Sequence, residues 1–162
     1  MFDKKVSSRV TIGLMKKTDL PEILAIEAES FPTPWTVGMF KREMESAHAR
    51  CLCARIDSED QSVVAAYIIF WLIADEAHLH NLAVDKEYRG QGLAFALMGV
   101  MKKIAGENKI TSQTLEVRES NTEAIKLYRK CGFVVKGVRP LYYTDTHEDA
   151  LIMWADINPV RE

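Results

Sequence analysis

The chain has 162 residues, 48% hydrophobic, 27% charged and 9% aromatic, with a formal net charge of −2. That size and mix exclude the disordered and fibrous classes and lead us to expect one domain, spanning 1–162, with a core of its own. The 21 basic and 23 acidic residues leave no basic surplus for direct nucleic-acid binding. The longest apolar run, 63–74, is twelve residues, short of the ~18 that a membrane-spanning helix needs. The first ten residues carry Asp3, Lys4 and Lys5 where a secretory leader would be apolar. Three cysteines, Cys51, Cys53 and Cys131, are an odd number in a chain with a good core, which fits reduced thiols in the cytoplasm.

Residues 10–15 alternate as a first strand. Asp19, with Glu22 three residues on and Pro21 in the first turn, predicts a helix start, and Ile23, Leu24 and Ile26 give that helix its apolar side. The prolines of Phe31-Pro32-Thr33-Pro34-Trp35 hold the next stretch extended. Thr36 then caps a second short helix carrying Met39, Phe40 and Met44. Strands at 51–56, 63–73 and 77–84 are separated by short polar breaks, which predicts an antiparallel meander. A helix at 93–104 closes at Gly106, and 114–117 is a strand. Ser120 with Glu123 reads as a capping box for a helix that ends at Cys131-Gly132. Strands at 133–138 and 150–157, joined by a long polar segment, complete the chain. The sum is α+β: a mixed sheet of seven strands with four helices packed on it.

The sharpest local feature is Arg89-Gly90-Gln91-Gly92-Leu93-Ala94, between a strand and a helix. Free backbone N–H groups and the positive end of a helix dipole suit a phosphate or pyrophosphate there, with Arg89 adding a charge-assisted contact. The same residues also suit a tight turn in which glycine only gives clearance. The loop lacks the glycine–lysine–hydroxyl ending of a Walker motif. Three meander strands precede it, which argues against a dinucleotide-binding βαβ unit.

The order of motifs carries more. Asn81-Leu82-Ala83-Val84-Asp85, the glycine loop, Leu115-Glu116-Val117-Arg118 with Ser120-Asn121, then Ala124, Leu127-Tyr128 and Cys131-Gly132-Phe133 follow one another. This series resembles the GNAT superfamily of acetyl-CoA-dependent N-acetyltransferases. Phe31 to Trp35, Arg139, Tyr142-Tyr143 and Glu148-Asp149-Ala150 extend the resemblance to its RimI-type N-terminal acetyltransferases. It implies a mixed, mostly antiparallel twisted sheet and acetyl-CoA as co-substrate. It also implies a protein N-terminus as acceptor, with the N-terminal alanine of a small-subunit ribosomal protein as the specific case. In that pattern Arg89, Gly90, Gln91, Gly92, Leu93 and Ala94 hold the pyrophosphate. Leu82, Ala83 and Val84 bond the pantetheine arm and acetyl carbonyl through their backbone, and Asn121 touches the cofactor. Ala94 stands where many relatives have glycine. Pro140 stands where a second arginine is frequent, a departure that bears on substrate preference.

Glu116 shares one face of its strand with Thr114 and Arg118, opposite Leu115 and Val117. By pattern alone it is either a half-buried carboxylate paired with a cation or a base in a wet crevice; the resemblance implies the base. Tyr128 by spacing is a core tyrosine with a wet hydroxyl; the resemblance implies the proton donor to the coenzyme A thiolate. Phe31 and Trp35 read as one wall for an incoming peptide, and Tyr142 and Tyr143 as the opposite wall. His78 and His80 alternate near the proposed site, as pocket residues or as ordinary strand histidines. Cys51, Cys53 and nearby His48 lack a fourth partner at metal-ligand spacing, so no metal is expected. Two rival readings stand beside the main one. The first is an acetyltransferase for lysine side chains or small amines; the second is a coenzyme A-binding interaction module without catalysis.

Overall fold

The computed structural model describes residues 9–158; the ends of the expected 1–162 domain, and the reading of the first eight residues, lie outside that span. The strands are β1 (Arg9–Leu14), β2 (Ala49–Asp57), β3 (Ser62–Ile73), β4 (Glu76–Val84), β5 (Ser112–Arg118), β6 (Val134–Tyr143) and β7 (Glu148–Asp156). The helices are α1 (Leu20–Ser30), α2 (Val37–Glu45), α3 (Leu93–Glu107) and α4 (Thr122–Lys130). The strands form one sheet in the order β1-β2-β3-β4-β5-β7-β6. Every neighbouring pair is antiparallel except β4 and β5. The α+β reading and the antiparallel meander of β2 to β4 therefore hold. Among the described residues no helix is long and apolar enough to cross a membrane.

Two apolar layers lie on the two faces of the sheet. One packs Leu97, Met98 and Met101 of α3 and Ile125 of α4 against Ile68, Phe70, Leu115 and Met153. The other packs Ile23 and Ile26 of α1 and Phe40 of α2 against Cys53, Tyr67 and Ile69. β3 feeds both layers, and residues 64–70 are all buried. A strand covered by helices on both sides has no wet face to alternate with, so it reads as one continuous apolar run. Full burial of a ring such as Phe40 contributes roughly 1.5–3 kcal/mol.

Four local readings change. The helix expected to close at Gly106 runs through it to Glu107, with Asn108 as its C-cap. Asp19 does precede α1, but its side chain makes no cap bond to that helix. It accepts from the Lys16 N–H at 2.7 Å and pairs with Arg55 of β2, while Glu22 accepts from the Val64 N–H of β3 at 2.8 Å. Both carboxylates fasten α1 to the sheet. The cap of α4 is Asn121, which accepts from the Ala124 N–H at 3.2 Å; the helix starts one residue later than the Ser120–Glu123 box requires. Finally, β6 runs on to Tyr143, and only residues 144–147 separate it from β7. The pairing slips between Arg139 and Tyr143, where Leu141 takes a left-handed φ of 52° and its N–H bonds Asp149 at 2.8 Å. That irregularity hides the strand from a period-two pattern. Thr36 caps α2 as expected, accepting from the Met39 N–H.

Candidate active site

β4 and β5 pair only over Glu76–His78 and Ser112–Thr114, and then diverge. In β4 the register with β3 jumps from Leu79 to Asn81, which leaves His80 as a bulge. The bulge inverts which residues face which layer: Ala77 and Leu79 pack with α3, whereas after it Ala83 packs with α1. The divergence and the bulge together open a fork in the sheet, and a cavity of about 740 Å³ occupies it. Leu82 and His80 of β4, Glu116 and Arg118 of β5, and Tyr128 of α4 all line it.

The glycine loop closes the open end of β4. Gly90 and Gly92 have φ of 77° and 80°, and Gly92 is the residue before α3. A Cβ on either would meet nothing within 4 Å. Clearance is therefore not why glycine is present; the left-handed backbone is. No side chain caps α3 and its first turn holds no acid, so none of its own side chains there competes for the leading N–H groups. Leu93 is buried and offers only its main chain. This cradle fits a pyrophosphate, the anionic part of acetyl-CoA. The Arg89 guanidinium bonds the Val84 carbonyl at 3.1 Å and reaches Ser30 at 3.5 Å, bracing the end of β4. Ala83, Val84 and the 89–94 loop lie outside the cavity lining, whereas Leu82 and Asn121 are in it.

Glu116 does not pair with Arg118. Its Oε2 lies 2.6 Å from His78 Nε2, and its Oε1 lies 3.4 Å from Arg139 Nε of β6. The bond from His78 holds its carboxyl below the usual range, with smaller help from the charges of His78, Arg139 and His80; burial works the other way. Glu116 is thus ionised at neutral pH. His80 lies between the rings of Trp71 and His78, at 4.5 and 4.7 Å. Loss of water there, with a push from His78, lowers its pKa to about 4, so it is neutral at pH 7. Tyr128 is buried beside Phe133, and burial raises its phenol. Burial also pushes Tyr143 up to about 12, against the charge of Arg118.

Phe31, Trp35, Tyr142 and Tyr143 border the same cavity, as the sequence predicts. The two walls are joined by a bridge the sequence does not reveal. Thr33 donates to Asp145 at 2.9 Å, Asp145 takes both terminal nitrogens of Arg118 at 2.9 and 2.7 Å, and Arg118 stacks over Tyr143 at 4.0 Å. Glu148 also pairs with Arg118, at 3.5 Å. Behind the first wall, Glu27 is buried and accepts from the Trp35 N–H and from Asn81, both at 2.9 Å, and from the Tyr67 hydroxyl. Sequence reasoning missed Glu27, although a carboxylate four residues after Ile23 on an apolar helix face is a visible signal. Cys51 and Cys53 are free and buried, their thiols pushed up to about 12 by burial. No cluster of metal-ligating side chains occurs among the described residues.

Comparison with known proteins agrees with this architecture. The acetyltransferase (GNAT) family matches residues 20–133. A Bacillus subtilis (strain 168) protein, provisionally named a ribosomal protein bS18-alanine N-acetyltransferase, is 37% identical over 94% of this chain and 99% of its own. The Escherichia coli (strain K12) ribosomal protein bS18-alanine N-acetyltransferase is 34% identical over 88% of this chain and 95% of its own. The crystal structure of the Escherichia coli ribosomal-protein-S18-alanine N-acetyltransferase superposes with a TM-score of 0.81 at 33% identity, covering 95% of this chain and 97% of that one.

Proposed function

The chain belongs to the GNAT family and is an acetyl-CoA-dependent N-acetyltransferase, and from that premise we propose that it acetylates the α-amine of a protein N-terminus, specifically the N-terminal alanine of ribosomal protein bS18. The acceptor named for its relatives supports that choice. The observation that carries the reading is the fork between β4 and β5, where one cavity holds a carboxylate, a buried phenol and two aromatic walls.

When bound, acetyl-CoA supplies a thioester whose acyl group passes to an unprotonated amine. Main-chain N–H groups of the 89–94 loop and the α3 N-terminus bind its pyrophosphate, and the backbone of Leu82 to Val84 binds its extended arm and the acetyl oxygen. Phe31 and Trp35 on one side, with Tyr142 and Tyr143 on the other, hold the acceptor main chain. Glu116, ionised at neutral pH, takes the proton the amine gives up as its bond to carbon forms. Tyr128, kept protonated by burial, gives a proton to the departing thiolate. The acceptor class follows from basicity: freeing a peptide α-amine of pKa ~8 at pH 7 costs about 1.4 kcal/mol, and a lysine of pKa ~10.4 costs about 4.6. A carboxylate held below its usual range is a weak base and suits the first task.

The test is mass spectrometry of acetyl-CoA reactions with paired peptides. Free alanine N-termini should gain one acetyl group, and lysine-bearing peptides with blocked N-termini should not. Acetylation of the blocked set alone would move the acceptor to lysine. Tight coenzyme A binding with no product from any amine would make the chain a binding module.

A further inference from the structure

Glu116 sits on the parallel, diverging side of β5, and its carboxylate is 13% exposed. Its two oxygens have unequal partners. Oε2 is 2.6 Å from His78 Nε2. Oε1 is 3.4 Å from the Nε of Arg139, whose own side chain is 54% exposed. His78 is opposite Thr114 in the last β4–β5 pair before the strands part, so its backbone is fixed by the sheet and its ring reaches Glu116 two residues into the fork. The ring also sits in a row of tilted ring contacts: His78 to His80 at 4.7 Å and His80 to Trp71 at 4.5 Å. Glu43 of α2 accepts from Trp71 Nε1 at 2.6 Å and closes the row. The His78 side chain is 34% exposed, less than Arg139, and its contact is the shorter; a close donor on one oxygen and a longer-range cation near the other leave a carboxylate with one committed and one available lobe.

We propose that His78 is a positioning residue for acetyl transfer: its bond to Oε2 fixes the Glu116 rotamer and leaves Oε1 as the oxygen that takes the amine proton. The proton passes from the acceptor nitrogen to Oε1, and His78 keeps its own. Groups facing Glu116 are His78 and His80 from β4 and Arg139 and Tyr143 from β6; those facing His78 are Glu116 and His80. The inference rests on Glu116 being the base, and the experiment separates the two claims.

Glu116→Gln, His78→Ala, His78→Gln and the double variant Glu116→Gln/His78→Ala are assayed with acetyl-CoA and a synthetic peptide bearing a free N-terminal alanine. The Glu116 carboxyl is followed by carbon NMR across pH. His78→Ala should lower kcat about ten- to a hundredfold while acceptor KM and acetyl-CoA affinity stay within about twofold. It should also raise the Glu116 midpoint by at least about half a pH unit, since the largest lowering contact is gone. His78→Gln, whose amide nitrogen replaces Nε2 as donor, should recover kcat to within about threefold. The double variant should be no slower than Glu116→Gln, the non-additivity expected of residues that act as a unit. Parent-like kcat and an unmoved midpoint in His78→Ala overturn the inference, as does a double variant whose losses multiply. Should His78→Ala fail to fold, a His78→Gln variant slower than threefold below parent, with circular dichroism unchanged, overturns it equally. Full activity in Glu116→Gln removes the base itself, and that result is read without any His78 variant.

Discussion

Two regions of the molecule are built differently. The 89–94 loop, outside the cavity lining, is main chain: two glycines at left-handed φ and a helix start without a capping side chain. All of it comes from residues adjacent in sequence. The cavity between the aromatic walls is side chain, and its bridge joins Thr33 to Asp145 across 112 residues and Arg118 to Asp145 across 27. A backbone site needs only the right dihedrals at a few positions, so it can be specified locally. A side-chain site needs distant segments to arrive together, so its specificity is as changeable as its surface residues. The first suits a ligand that never changes and the second suits ligands that do.

Three substitutions test that division. Tyr128 belongs to the cavity, buried on α4 and in the lining. Tyr128→Phe should lower kcat about a hundredfold, in line with the loss of a positioned acid, with acetyl-CoA affinity by calorimetry unchanged within about twofold. A variant with full turnover would place the proton donor elsewhere. Gly92→Ala puts a Cβ into open space but onto a φ of 80°. Strain of roughly 1–2 kcal/mol should appear in urea unfolding, with acetyl-CoA KM raised about tenfold and acceptor KM unmoved. If the acceptor KM moved equally, the two regions would not be separable. Arg118→Met breaks the bridge from β5 to residues 144–147. Its expected effect is the smallest, about fivefold in acceptor KM, as for a pair contributing about 1 kcal/mol, with acetyl-CoA KM unchanged.

The same division governs what the sequence reveals. Seven strands, four helices and the glycine loop are legible because each rests on neighbours in the chain: the Thr36 cap, the buried run of β3, the positive-φ glycines. Asp19 and Glu22 mislead because a carboxylate before a helix looks like a cap whether its proton donor is local or, as here, Arg55 and the Val64 N–H. Glu116, Tyr128, Trp35 and Tyr143, singled out in the sequence, line one cavity. The partners of Glu116 are not, since His78 and Arg139 reach it only through strand register. The bulge at His80 is equally hidden, although it decides which face of β4 each later residue occupies. No period in the sequence announces a bulge.

Beyond His78 the edge of β4 that looks toward β5 has no strand across from it. In a seven-stranded ladder this is a missing rung near the middle, where a protein can least easily leave backbone groups idle. An extended, amide-bearing molecule laid along that edge would complete the weave, a borrowed thread released after every reaction.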